Sequence, residues 1–292
     1  MELRQLEYLV AVIEEANFTR AAERLHVAQP GVSAQIRRLE RELGHTLLHR
    51  SSRTVRPSDA GAAILPHARA ALHAVASVRG VLDELAGLLR GHVSVGTVST
   101  GGPIDLPDRL AVFHGDHPGI EITLIEDGSQ RLIDDLLGGR LDLALIGLAD
   151  ATPAGLAIDV VTDQRLAAVV SDEHPLAARR TIRLSELADE PLITLPAGSG
   201  VRAALDAGFA AAGLRPRIAF QAGDPAVLTR LAGQGLGIAI LPVAENVAPC
   251  SGHIREITIT NPAMRAQLAL AWNRSPPVGL ATTALIEHLK TP

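Results

Sequence analysis

Gln29, Ser33 and Arg37 recur at four-residue intervals. On a helix that interval puts all three on one face. Gln pairs bidentately with adenine, Ser bonds to several base edges, and Arg suits guanine or phosphate. The same stretch carries Val32, Ile36, Leu39 and Leu43 at steps of 4, 3 and 4, the apolar stripe of a helix that packs its other side. Pro30 falls in the first turn, where its missing N–H would lack a partner anyway. Upstream, a shorter helical pattern runs from about Phe18 to Leu25 with Asn17 as its N-cap. His26, Val27 and Ala28 break the two patterns apart, and Ala21 and Ala22 are small enough to let the helices cross closely. This is the anatomy of a helix-turn-helix, whose second helix lies in the DNA major groove.

Charge agrees with that chemistry. Residues 18–57 hold eight Arg and three acidic residues, a net of +5, while residues 58–292 sum to −7 and the whole chain to −5. Positive charge thus collects on one element of an acidic protein, as a partner of phosphate requires.

The strings AAERL and VAQPGVSAQIRRLERELGHTLLHR, followed by a helix start at Ser58-Asp59-Ala60-Gly61, resemble the LysR-type transcriptional regulators. The match is dense over residues 1–65 and looser beyond. The resemblance implies a winged helix-turn-helix in residues 1–57, with Gln29, Pro30, Ser33, Arg37, Arg50 and Arg53 against DNA. Arg53, at the tip between strand candidates 46–50 and 54–56, would reach the minor groove, where negative potential concentrates. Three positions depart from the common pattern: Ala28 in place of a capping Ser or Thr, Leu48 in place of Phe, and Ala34 in place of a longer polar residue.

A first helix over 2–14, with Leu3, Leu6, Leu9, Val10 and Ile13 inward, should brace this unit. From Ser58 a long pattern follows: Ile64, Ala68, Ala71, Val75, Val78, Leu82, Leu85 and Leu89 alternate steps of 4 and 3. A sustained 3.5-residue period favours pairing with a second helix, so residues 58–90 are expected to be a linker helix that joins two copies. Pro66 lies within it, and Gly91 is expected to end it.

Beyond His92, strand and helix patterns alternate. Strand candidates are 93–97, 121–125, 142–146, 166–171, 191–195, 217–222, 237–241, 254–259 and 266–272. Helices are expected near 104–114, 130–138, 201–212, 225–234 and 279–289. Such alternation predicts largely parallel sheets covered by helices. The expected class is therefore α/β behind an all-α-type winged helix-turn-helix and a long linker helix. The family resemblance implies a two-subdomain effector domain over 91–292, similar to type 2 periplasmic binding proteins. Subdomain I would hold about 91–162 and 267–292, and subdomain II about 163–266.

Ligands of open α/β sheets bind at strand carboxyl ends and helix N-termini. Ser99, Thr100, Ser129, Gln130, Thr194, Ser199, Arg202 and Gly223 fall at such junctions and are the candidate effector site. Their hydroxyls and a guanidinium suit a small molecule, an anionic metabolite among them.

The chain offers little for other chemistry. Gly198-Ser199-Gly200 lacks the spacing of a nucleophile elbow. Gly233, Gly235 and Gly237 precede a strand, and Ile240 spoils a dinucleotide fingerprint. His45 with His49 and His114 with His117 lack a third ligand, so neither a metal nor a cofactor is expected. Cys250 is the single cysteine, which excludes an intrachain disulfide. The family's peroxide sensors need two. The N-terminus lacks a long apolar run, so no signal peptide is expected, and no stretch approaches the roughly 18 apolar residues of a membrane span. These features favour a cytoplasmic regulator, dimeric and within a tetramer, that binds double-stranded DNA and a small-molecule inducer. The alternative is a solute-binding or enzymatic α/β protein without a DNA role.

Overall fold

The computed structural model describes residues 1–50, 54–85, 89–98, 105–148, 152–243, 253–274 and 278–290. The N-terminal unit contains α1 (Leu3–Glu15), α2 (Phe18–Arg24), α3 (Gln29–Leu43) and an antiparallel hairpin of β1 (Leu48–Arg50) with β2 (Val55–Pro57). Asn17 caps α2, its Oδ1 accepting from the Thr19 and Arg20 N–H groups at 2.8 and 3.2 Å. Ala28 gives α3 no side-chain cap, and Gly44 ends that helix in the left-handed region. Leu9, Val12, Ala21, Val32, Ile36, Leu39, Leu47 and Leu48 form the core between these elements. Leu3 and Leu43 are not part of it, at 45% and 38% exposure. Both stand at helix ends, where the apolar stripe runs past its packing partners. Gln5 takes an inner place instead, fully buried, with its Oε1 accepting from the Glu2 N–H at 2.8 Å.

Next comes α4 (Asp59–Leu85), 27 residues long with Pro66 inside it. Its start is welded to the hairpin. Ser58 Oγ donates to Thr46 O at 2.6 Å and accepts from the Gly61 N–H at 3.0 Å, while the Ser58 N–H bonds to Leu47 O. Gly61 must be glycine here, because a Cβ would stand 2.0 Å from Leu47 O. The helix does not run to Gly91. Leu89 and Arg90 lie outside helix, and Gly91, at φ +146, opens a strand opposite Ile120. Along the expected seam Ile64 and Ala71 are half-buried and Ala68 is buried, whereas Val75 and Val78 are exposed. The side chains of Leu82 and Leu85 lie outside the described ones.

The remaining strands form one mixed sheet of ten, in the order β4-β3-β5-β12-β6-β10-β8-β9, with β11 and β7 branching from β6. One lobe holds β3 (Gly91–Thr97), α5 (Leu106–Asp116), β4 (Ile120–Glu126), α6 (Ser129–Leu137), β5 (Leu143–Leu148) and the C-terminal α9 (Leu280–Lys290). The other holds β7 (Thr181–Arg183), β8 (Leu192–Thr194), α7 (Gly200–Ala211), β9 (Ile218–Gln221), α8 (Pro225–Gly233), β10 (Ile238–Val243) and β11 (Ile254–Thr260). Two strands belong to both lobes: β6 (Leu156–Ser171) and β12 (Arg265–Asn273).

Pairing is parallel within each lobe, as β3 with β4 and β5, and β8 with β9 and β10. It is antiparallel wherever β6 or β12 takes part. The expected parallel character is therefore only half met, because a chain that crosses to a second lobe and returns must run both ways. β6 also begins ten residues before the expected 166. Its first part, Leu156–Arg165, mixes Asp159, Thr162, Asp163 and Gln164 with apolar residues and is mostly half-buried, so it lacks the apolar run of Leu166–Val170. Among the described residues no helix is long and apolar enough to cross a membrane.

Candidate functional site

Two places in the molecule meet the requirements of a site. The first is the outer face of α3. Gln29, Pro30 and Arg37 are exposed and Ser33 is half-buried. Gln29 and Pro30 stand in the first turn, the end of a recognition helix that contacts bases. The other arginines of the unit are largely engaged. Arg20 bonds to Glu15, Arg24 to Glu14, and Arg38 to Glu42. Arg50 donates to Glu40 at 2.7 Å and stacks 5.4 Å from the centre of the Phe18 ring. The other carboxylate oxygen of Glu40 accepts from the Leu47 and Leu48 N–H groups, so Arg50 helps tie the hairpin to α3. Arg37 and the exposed Arg56 carry no ion pair among the described residues. Arg53 lies outside the described residues.

The second place is a cavity of about 390 Å³ between the lobes. On one side it is lined by Val98, Leu145, Gly147 and the turn from Glu126 to Ser129. On the other stand Leu195, Pro196, Ala197, Gly223, Pro225, Pro242 and the start of α7 from Ser199 to Val201. The crossing strands supply Thr162, Gln164, Ala266, Gln267 and Leu268. The N-termini of α6, α7 and α8 thus converge, which favours negative charge on a ligand, while Glu126 and Asp127 are exposed carboxylates beside it. No Arg, Lys or His lines it among the described residues.

Three of the expected effector residues line this cavity: Ser129, Ser199 and Gly223. Ser129 is buried and its Oγ accepts from the Gly147 N–H at 3.0 Å. Ser199 caps α7, accepting from the Arg202 N–H and donating to Pro196 O. Three others are not brought to the wall. Gln130 points along its helix to Asp134. Arg202 is drawn to Asp206, one turn on, at 2.9 Å. Thr194 is fully buried and its Oγ1 has no partner among the described residues. Ser99 and Thr100 lie outside the described residues. Sequence reasoning missed Thr162, Gln164 and Gln267. Only Gln267 gave a signal, as a polar residue within the otherwise apolar strand candidate 266–272, whereas Thr162 and Gln164 lie in a segment without an apolar run. Beside them Asp163 takes a hydrogen bond from Arg265, which lowers its pKa below the ordinary carboxylate value.

The lobes touch through two glycines. A Cβ on Gly200 would stand 2.7 Å from Gly147 C and Leu148 N. The main chains of α7 and β5 therefore meet with no side chain between them. Among the described residues no group of three or more His, Cys, Asp or Glu could hold a metal ion.

A winged helix-turn-helix, a long helix and a two-lobed α/β unit with a cavity between its lobes define a DNA-binding regulator that takes a small-molecule inducer. Two family profiles agree: a bacterial regulatory helix-turn-helix protein of the lysR family over residues 3–62, and the LysR substrate binding domain over 86–291. The DNA-binding transcriptional dual regulator OxyR of Escherichia coli K12 is 34% identical over 242 residues, 83% of this chain and 79% of OxyR. A full-length OxyR variant of Pseudomonas aeruginosa superposes with a TM-score of 0.76 at 27% identity, covering 100% of this chain and 95% of that one. Full-length CbnR complexed with its target DNA superposes at 0.59 with 25% identity, covering 99% of both chains. The chain belongs to the LysR family of transcriptional regulators.

Proposed function

We propose that this protein is a cytoplasmic transcription factor without catalytic activity, built of a DNA-binding unit over 1–57, a dimerising linker over 58–90 and an effector unit over 91–292. In this reading Gln29 and Ser33 touch base edges, while Arg37, Arg53 and Arg56 meet phosphates or the minor groove. The observation that carries it is the outer face of α3, where Gln29, Ser33 and Arg37 have side chains with no internal hydrogen bond among the described residues. Selecting DNA from a random duplex pool with the full chain tests it, and failure to enrich any motif would end it. With that motif in hand, Gln29→Ala should lose about 1–3 kcal/mol of discrimination at one base pair. Anisotropy titrations against singly mutated duplexes measure this, and full discrimination by the variant would misplace α3.

The signal is a small molecule bound between the lobes. The curated OxyR relatives include proteins named hydrogen peroxide-inducible genes activators, but an intrachain disulfide switch needs two cysteines, and this chain has Cys250 alone. A thermal-shift screen of metabolites on the full chain tests this part, and the N-termini of three helices at the cavity favour carboxylates among them.

Two copies pair through α4, and pairs assemble into a tetramer. Val75 and Val78, 47% and 60% exposed, stand on the heptad seam with no cover in the single chain. Val75→Asp with Val78→Asp would bury unpaired charge at such a seam and should yield a smaller assembly with at least roughly tenfold weaker DNA binding, about 1.4 kcal/mol. Sedimentation velocity decides: an unchanged assembly removes the seam from the interface.

A further inference from the structure

Arg69, in the middle of α4, touches all three parts of the molecule. Only 8% of its side chain is exposed. One guanidinium nitrogen donates to Gly138 O at 2.8 Å, at the C-terminal end of α6. Another meets Glu14 Oε1 at 2.9 Å, in the last turn of α1. The second oxygen of Glu14 accepts from Arg24 of α2 at 2.8 Å. Gly139, in the left-handed region at φ +64, brings its main chain against the Arg69 stem: a Cβ there would lie 3.3 Å from Arg69 Cβ. The other end of α6 is the cavity wall, where Ser129 lines the cavity and holds Gly147.

An unbroken series of short contacts therefore runs from the cavity along α6 to Gly138, through Arg69 to Glu14, and on to the first helix of the helix-turn-helix. Nine residues of α6 span about 13 Å as a rigid rod. Any movement of its N-terminus reaches the Gly138 carbonyl with little loss. A guanidinium suits this junction because its fork serves two acceptors in fixed directions, and its charge matches the negative end of α6.

We infer that Arg69 couples the effector cavity to the DNA-binding unit, carrying the position of α6 to Glu14 and Arg24. Coupling is reciprocal, so DNA alone can report it, with no inducer in hand. The probe is the duplex that the full chain selects from a random pool, and the readout is hydrogen–deuterium exchange of the full chain with and without it. In the unaltered protein DNA should slow exchange in α3 and also in residues 129–137, the latter by about fivefold or more, the lower end of ordinary coupling. In Arg69→Met, which keeps the apolar stem, α3 should still respond while 129–137 should not. Glu14→Ala leaves Arg69 bonded to Gly138 while it removes the links from Glu14 to Arg69 and to Arg24, and it should silence 129–137 equally. A strut that merely stabilises α6 would keep its DNA response in Glu14→Ala. That persistence, or an α6 in the unaltered protein that ignores bound DNA, overturns the coupling.

Discussion

Gly61→Ala should weaken DNA binding by the full chain about a hundredfold and lower the melting temperature of the N-terminal unit, with the effector unit unaffected. The cause is a single methyl group. It would sit 2.0 Å from the Leu47 carbonyl oxygen, and both sides of that contact are main chain, so no rotamer change relieves it. Overpacking costs typically about 1–3 kcal/mol and more where nothing can give. Here the Ser58 bonds to Thr46 and Leu47 hold the two segments together on either side. A loss of about 3 kcal/mol is a large fraction of the roughly 5–15 kcal/mol that holds a domain folded. The start of α4 must leave β1, and the hairpin, tied to α3 through Glu40, shifts with it. Circular dichroism melts with anisotropy titrations measure both effects. A variant that melts and binds normally would show that the contact relaxes freely.

Gly200→Ala should have an effect of similar size between the two lobes. Its Cβ would meet Gly147 C and Leu148 N at 2.7 Å and Leu148 O at 2.8 Å. To admit it α7 must retreat from β5, which parts the two lobes and widens the cavity. With the contact goes the environment of the Gly147 N–H, which now donates to Ser129 Oγ. The expected cost is about 3 kcal/mol. For a unit of this size that lowers the melting temperature by roughly 6–12 °C. Faster amide exchange over residues 145–148 should accompany it. An unchanged melting temperature together with unchanged exchange would mean that the lobes separate without cost.

The helix-turn-helix was legible because everything that makes it is local. Asn17, Pro30, Gly44 and the spacing of Val32, Ile36 and Leu39 state two helices and their ends within thirty residues. The strands buried on both faces were legible for the same reason, as short apolar runs such as Leu143–Leu148. What escaped was set by partners far away in sequence. Leu156–Arg165 becomes strand only because Arg265–Asn273 returns beside it, more than a hundred residues later. Arg202 stood where a ligand's counter-charge would be useful, but Asp206 lies one turn along the same helix and takes it. Ser129 and Ser199 were recognisable as helix openings, whereas Gly147 and Gly200, which decide how closely those openings approach, carry no side chain to announce themselves. Arg69 carried no local signal, because its two partners, Glu14 and Gly138, lie 55 and 69 residues away in different units.

Four of the nine arginines of the N-terminal unit are paired with carboxylates among the described residues, and the consequence lies in how DNA binding responds to salt. Glu14 and Glu15 of α1 face Arg24 and Arg20, and Glu40 and Glu42 face Arg50 and Arg38. Over residues 1–57 the net charge is only +2. An arginine already neutralised by a carboxylate displaces few condensed cations when it nears a phosphate, and each phosphate truly neutralised contributes about −0.9 to the slope of log affinity against log salt. With the proposed contacts of Arg37, Arg53 and Arg56, a subunit should release few ions. Its hold on an operator then rests more on base contacts and on the joining of several subunits than on bulk attraction, and it should survive in salt that strips a more basic regulator from DNA.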